Sequence, residues 1–65
     1  MIHDPRVDPR PGDVVKKEEI GVILITGHDA NHVVWFVTQG GSAGWMPRED
    51  WRKFAMNAEV LHVAD

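Results

Sequence analysis

From Ile20 to Pro47 the sequence carries a single formal charge, Asp29, while both ends are densely charged. A long uncharged stretch in a 65-residue chain must be buried or paired, and its punctuation decides how. Gly21-Val22-Ile23-Leu24-Ile25-Thr26 is a β-branched run of strand length. It stops at Gly27-His28-Asp29-Ala30-Asn31, and Val33-Val34-Trp35-Phe36-Val37-Thr38 follows. Two such runs joined by a short Gly/Asp/Asn loop predict an antiparallel hairpin. Val14-Val15-Lys16 reads as a short leading strand. After the turn Gln39-Gly40-Gly41-Ser42-Ala43-Gly44, Gly44-Trp45-Met46 begins a fourth.

Pro47 changes the period. Trp51, Phe54, Ala55 and Ala58 fall at i, i+3, i+4 and i+7, one face of a helix. Pro47 suits the first helical position, with Glu49 and Asp50 early and Arg52 and Lys53 late, as the helix dipole favours. Asn57 marks the stop, and Glu59 to Ala64 supplies a last strand. The fold class expected is therefore mainly β, with four to five antiparallel strands and one short helix before the last.

Residues 1–11 read differently. Asp4-Pro5-Arg6 is nearly repeated as Asp8-Pro9-Arg10, and Pro11 follows. Three prolines so closely spaced exclude a helix and predict an extended, polyproline-like tail ahead of a domain over 12–65. The tail is either loosely packed or a docking segment for a partner.

Several function classes are excluded by what is missing. No window approaches a membrane span, and the N-terminus lacks the basic start and apolar run of a signal peptide. Absence of cysteine fits a reducing compartment, and a cytoplasmic location is expected. A net charge of −3 argues against binding nucleic acid by counterion release. A hydrophobic content of 43% is too high for a disordered chain. Ser42, the one serine, lies in a Gly-rich turn without a nucleophile-elbow pattern, and that turn lacks the lysine of a phosphate-binding loop. Glu49 and Asp50 are adjacent on the expected helix and diverge. His28 and His32 flank a turn, with His3 and His62 remote in sequence, so all four read as ordinary turn or surface residues and not as metal ligands. No enzyme, no cofactor and no metal are expected.

The aromatic residues say more. The central runs do not alternate: if Val22 and Leu24 point inward, Ile23 and Ile25 point outward, and if Val33, Trp35 and Val37 point one way, Val34 and Phe36 point the other. A chain this small has one interior, so the second face needs cover. The helix and the tail supply it from within, or a second copy or a foreign partner supplies it from without.

The order Gly12-Asp13-Val14-Val15, paired Trp35-Phe36, a Gly-rich turn, Gly44-Trp45-Met46-Pro47 and a helical turn bearing Trp51 resembles that of SH3-like barrels. The resemblance implies a small barrel. The aromatic-acidic N-terminal strand that forms the proline-peptide groove of signalling SH3 domains is missing, and the segment after Pro47 is longer than theirs. Gly12 to Lys17 and Ser42 to Pro47 also resemble stretches of the plasmid-encoded type II dihydrofolate reductases. The ligand-contacting Val-Gln-Ile-Tyr stretch of that family falls on Ala43-Gly44-Trp45-Met46, which has neither the glutamine nor the tyrosine. What this second resemblance implies is self-association, not reductase activity. The proline-rich opening and Trp-rich end are similar to short uncharacterised phage and prophage proteins, implying a phage-derived origin.

The expectation is thus a non-catalytic protein-binding module. Trp35, Trp45, Pro47 and Trp51 form its apolar and aromatic patch, and Arg48 and Arg52 its polar rim; the partner is another protein or a second copy. The alternative is a barrel-type nucleic-acid binder using Lys16, Lys17, Arg48, Arg52 and Lys53 with stacking tryptophans.

Overall fold

The two uncharged runs do pair. In the computed structural model, which describes residues 3–28 and 32–64, five strands form one antiparallel sheet. They are β1 (Val14–Lys17), β2 (Gly21–His28), β3 (Val33–Thr38), β4 (Ala43–Pro47) and β5 (Glu59–His62), with the helix α1 (Arg48–Phe54) between β4 and β5. The sheet order is β4-β3-β2-β1-β5, so β4 and β5 are edges and no pairing closes the sheet between them. The loop expected to join β2 to β3 lies partly at 29–31, outside the described residues, as do positions 1, 2 and 65. The β3–β4 turn is tight: Gly41, at φ +91°, donates its N–H to Thr38 O at 2.9 Å. That left-handed backbone is what a glycine there supplies.

Register resolves the missing alternation. Ile23 pairs with Val15 and Thr38, Ile25 with Phe36, Val34 with Met46, and Val15 with Val60. Directly paired residues share a face, and this face holds the core: Val15, Ile23, Ile25 and Val34, together with Trp51, Ala55 and Ala58 from α1 and the turn beyond it. Phe36, Met46, Phe54 and Val60 pack around them. Burying each large apolar side chain stabilises by about 1.5–3 kcal/mol. Phe36, Trp51 and Phe54 form an aromatic trio with ring centroids 5.6–6.4 Å apart. Lys17 Nζ sits 4.1 Å from the Phe54 ring centroid and donates to Phe54 O at 2.5 Å, tying β1 to the end of α1.

The helix is shorter than its apolar face. Regular structure ends at Phe54, and a turn with Ala58 N–H donating to Ala55 O carries Ala55 and Ala58 onto the core. Pro47 is the residue preceding the helix (φ −58°, ψ 149°), not its first member.

The N-terminal segment corrects an expectation. Between Asp4 and Asp8 the chain turns instead of running extended, with Val7 N–H and Asp8 N–H both donating to Asp4 O. Pro5 and Pro9 are fully buried. Trp51 Nε1–H donates to Pro5 O at 2.8 Å, and Arg52 Nε–H to Val7 O at 3.0 Å, so the segment lies against α1. Asp13, wholly buried, is its anchor: its carboxylate accepts Arg10 N–H at 2.8 Å and Ala64 N–H at 2.7 Å, and meets His3 Nε2 at 2.6 Å. One buried carboxylate thereby joins both ends of the chain, and its charge is met by hydrogen bonds as burial requires.

Candidate functional site

Among the described residues, the opposite face of the sheet has no such cover. Leu24 pairs with Val14 on one side and Val37 on the other, and Val37 pairs with Ala43, giving an apolar row across four strands. Leu24 is 43% exposed and Ala43 is also exposed, while Val14 and Val37 are half-buried. The next row is Gly27, Trp35 and Trp45. A β-bulge between Ile25 and Gly27 makes this row, because the extra residue shifts Gly27 to the outward side opposite Trp35. A Cβ on Gly27 would lie 4.0 Å from Trp35 Cδ1, so the glycine leaves the indole open ground.

Trp35 and Trp45 are 44% and 58% exposed, with ring centroids 6.2 Å apart and planes tilted by 43°. Between them and Thr26, Val37 and Ala43 lies a shallow groove of about 180 Å³. Two indoles held side by side by a cross-strand pair, each still in contact with water, form a rigid apolar surface of low side-chain entropy.

Beyond Pro47, which ends β4 on the same face, a second and larger cavity of about 520 Å³ opens. His32, Pro47, Arg48, Glu49 and Arg52 line it. His32, at φ +62°, accepts the Arg48 N–H on its carbonyl at 2.7 Å, fixing the start of α1 against the start of β3. Arg48 is largely packed, with a side chain 20% exposed, and its Nη1 lies 4.0 Å from Asp8 Oδ1. Its Nε is buried without a hydrogen-bond partner.

The six residues expected at the site therefore divide three ways. Trp35 and Trp45 stand together on the open face. Pro47, Arg48 and Arg52 meet around the larger cavity. Trp51 belongs to neither: it is completely buried on the other side of the sheet, between Phe36 and Phe54, with its indole N–H bonded to Pro5 O. Its expected place in an accessible patch is corrected, because an α1 that covers the core must turn its apolar face inward. Leu24, Val37 and Gly27 join the site without having been singled out, and only the inward placement of Ile23 and Ile25 would have located the first two. His32 carried no signal toward its cavity.

The five cations of the alternative reading have varied surroundings. Lys17 is held at Phe54, Arg52 is tied by Nε to Val7 O, and Lys16, paired with Val22, belongs to the open face. Ser42 is exposed in its turn, where its N–H faces Thr38 Oγ1 at 3.3 Å. Among the described residues, no three side chains of metal-ligating type cluster, and no helix is long and apolar enough to cross a membrane. No known protein family, curated protein or solved structure matches this chain.

Proposed function

We propose that the chain is a non-catalytic protein-binding module whose docking surface is the open sheet face centred on Trp35 and Trp45. One observation carries this reading: two neighbouring tryptophans remain about half exposed while the third is entirely buried. Exposed tryptophans over a shallow apolar groove are what interface centres are made of. The row Val14, Leu24, Val37 and Ala43 extends the surface beyond what scattered exposed residues would give. The SH3-like barrel belongs to the same proposal, as do a phage-derived origin and a cytoplasmic setting.

The test is reconstitution. A protein captured by the wild-type chain is purified and returned to it; binding that survives high salt and is lost in Trp45→Ser supports the proposal. Light scattering at two concentrations separates the occupants: a mass rising with concentration, and abolished by the same substitution, assigns the face to a second copy. Retention on single-stranded DNA that disappears with salt would replace the proposal by the nucleic-acid reading, with Lys16 beside the indoles.

A further inference from the structure

The cavity next to the aromatic surface differs from it in chemistry. Among the described residues, Arg48 and Arg52 face one acidic wall residue, Glu49, leaving that part of the lining with one excess positive charge. Asp8 is shared between Arg48 Nη1 at 4.0 Å and Arg10 Nη2 at 3.3 Å, so it offsets the Arg48 charge only in part. Arg48 Nε is buried without a hydrogen-bond partner, so a ligand in the cavity meets this guanidinium at its Nη atoms, of which Nη1 holds Asp8 only loosely, at 4.0 Å. Arg52 is oriented by its Nε bond to Val7 O. Two guanidiniums, one fixed by packing and one by a hydrogen bond, offer planar donor forks that match a carboxylate. A single excess charge suits a carboxylate better than a phosphate dianion.

We infer that the cavity walled by His32, Pro47, Arg48, Glu49 and Arg52 is a carboxylate pocket that receives an acidic side chain of the protein partner. The inference rests on the docking surface proposed above and supplies its polarity. Trp45 and Pro47 are two residues apart on one face of β4, a separation of about 7 Å along a strand. An extended partner segment with an apolar residue at one position and an aspartate or glutamate two positions on spans the same distance. The apolar side chain lies on Trp35 and Trp45, and the carboxylate enters beside Arg48.

The experiment is a titration of the ¹⁵N-labelled full chain at constant ionic strength, following the arginine Nε–Hε resonances. The probes are sodium acetate, sodium phosphate, sodium chloride and the peptide acetyl-Leu-Gly-Asp-amide. Acetate should move the Arg48 resonance saturably, and chloride should not. The peptide should bind at least about tenfold tighter than acetate, because it adds the burial of one apolar side chain. Arg48→Gln should weaken both by at least about tenfold, the loss expected of a charged hydrogen-bond partner. Arg52→Gln gives an independent loss should the first variant fold poorly, and Glu49→Gln should tighten both ligands.

Absence of saturation with acetate, or an equal response to chloride, overturns the pocket, while the reconstitution test of the aromatic face stands unaffected. Acetate binding with no gain for the peptide overturns the assignment to a protein partner. Phosphate binding tighter than the peptide overturns the carboxylate assignment.

Discussion

Trp35 and Phe36 are neighbours in β3, yet they belong to two aromatic groups with opposite fates. Phe36 joins Trp51 and Phe54 on the covered side of the sheet. Trp35 joins Trp45 on the open side. The inner trio is locked by α1, by the N-terminal segment and by the indole hydrogen bond to Pro5 O. Among the described residues, the outer pair is held by its strands and its own ring contact. Strand geometry places consecutive side chains on opposite faces, so one dipeptide supplies both the core and the surface. The contrast teaches that aromatic content alone does not announce a binding patch: what lies across from each ring decides its role.

The hardest test of this division is Trp51→Ala. The substitution removes a wholly buried indole from the centre of the trio and frees the Pro5 carbonyl. A loss of about 3–5 kcal/mol is expected, enough to leave so small a domain largely unfolded. Urea denaturation followed by circular dichroism measures it; a loss no larger than that of an exposed tryptophan would erase the distinction between the groups.

Gly44→Ala probes the boundary. Gly44 pairs with Phe36, and an added Cβ would lie 2.9 Å from Phe36 Cζ. The ring cannot swing away freely, because Trp51 and Phe54 flank it. Overpacking of about 1–3 kcal/mol should follow, with methyl and ring NMR shifts concentrated in the inner trio. Shifts confined to Trp35 and Trp45 would mean that the two groups are coupled through β4 and not divided by it.

Trp45→Ser should do the opposite. At 58% exposure the side chain contributes little to the fold, so stability should change by no more than about 0.5 kcal/mol. Binding to the reconstituted partner should nevertheless be lost, since central interface tryptophans commonly carry about 2 kcal/mol or more. A thermal melt and a binding isotherm on the same sample settle both halves.

How much of this was legible can be traced residue by residue. The bounds of β3 follow from the apolar run and its flanking turns, and the face Trp51, Phe54, Ala55, Ala58 follows from helical spacing. β2 runs on to His28 because a bulge at Thr26 restores its pairing with β3, and no residue type there demands a bulge. The open and covered faces were readable only as alternatives, since Ile23 and Leu24 are equally apolar and tertiary cover chooses between them. The sequence places Trp51 on a surface patch and the structure buries it, because a periodic face says which residues point together, not whether they point at protein or at water. The turn at the N-terminus did have a signal: Asp followed by Pro is favoured at the first two positions of a type I turn. The larger cavity was legible in Pro47, Arg48 and Arg52 but not in His32, which joins them across residues far apart in the chain.

The smallest expected effect concerns the segment that covers Trp51. Asp4 Oδ1 accepts Arg6 N–H at 2.9 Å and Arg6 Nε–H at 3.1 Å, forming the turn that presents the Pro5 carbonyl to the buried indole. The Arg6 side-chain hydrogen bonds, aided by the backbone bond, hold the Asp4 carboxyl below its ordinary value of 3.8 and raise the Arg6 guanidinium in turn. A carboxyl with a depressed folded-state value contributes stability fully above its unfolded value, and that contribution is lost as pH falls through the folded one. Asp4 and Arg6 are each 42% exposed, so solvent screening keeps the contribution small. Comparing the wild type with Asp4→Asn, the stability difference should be constant at neutral pH and shrink only below pH 3.8. Trp51 fluorescence, read in a Trp35→Phe/Trp45→Phe background, reports whether the cover loosens with it. If the indole signal stays fixed while the stability difference vanishes, the turn stabilises the chain without holding the inner trio shut, and the inner group owes its closure to Asp13 and α1 alone.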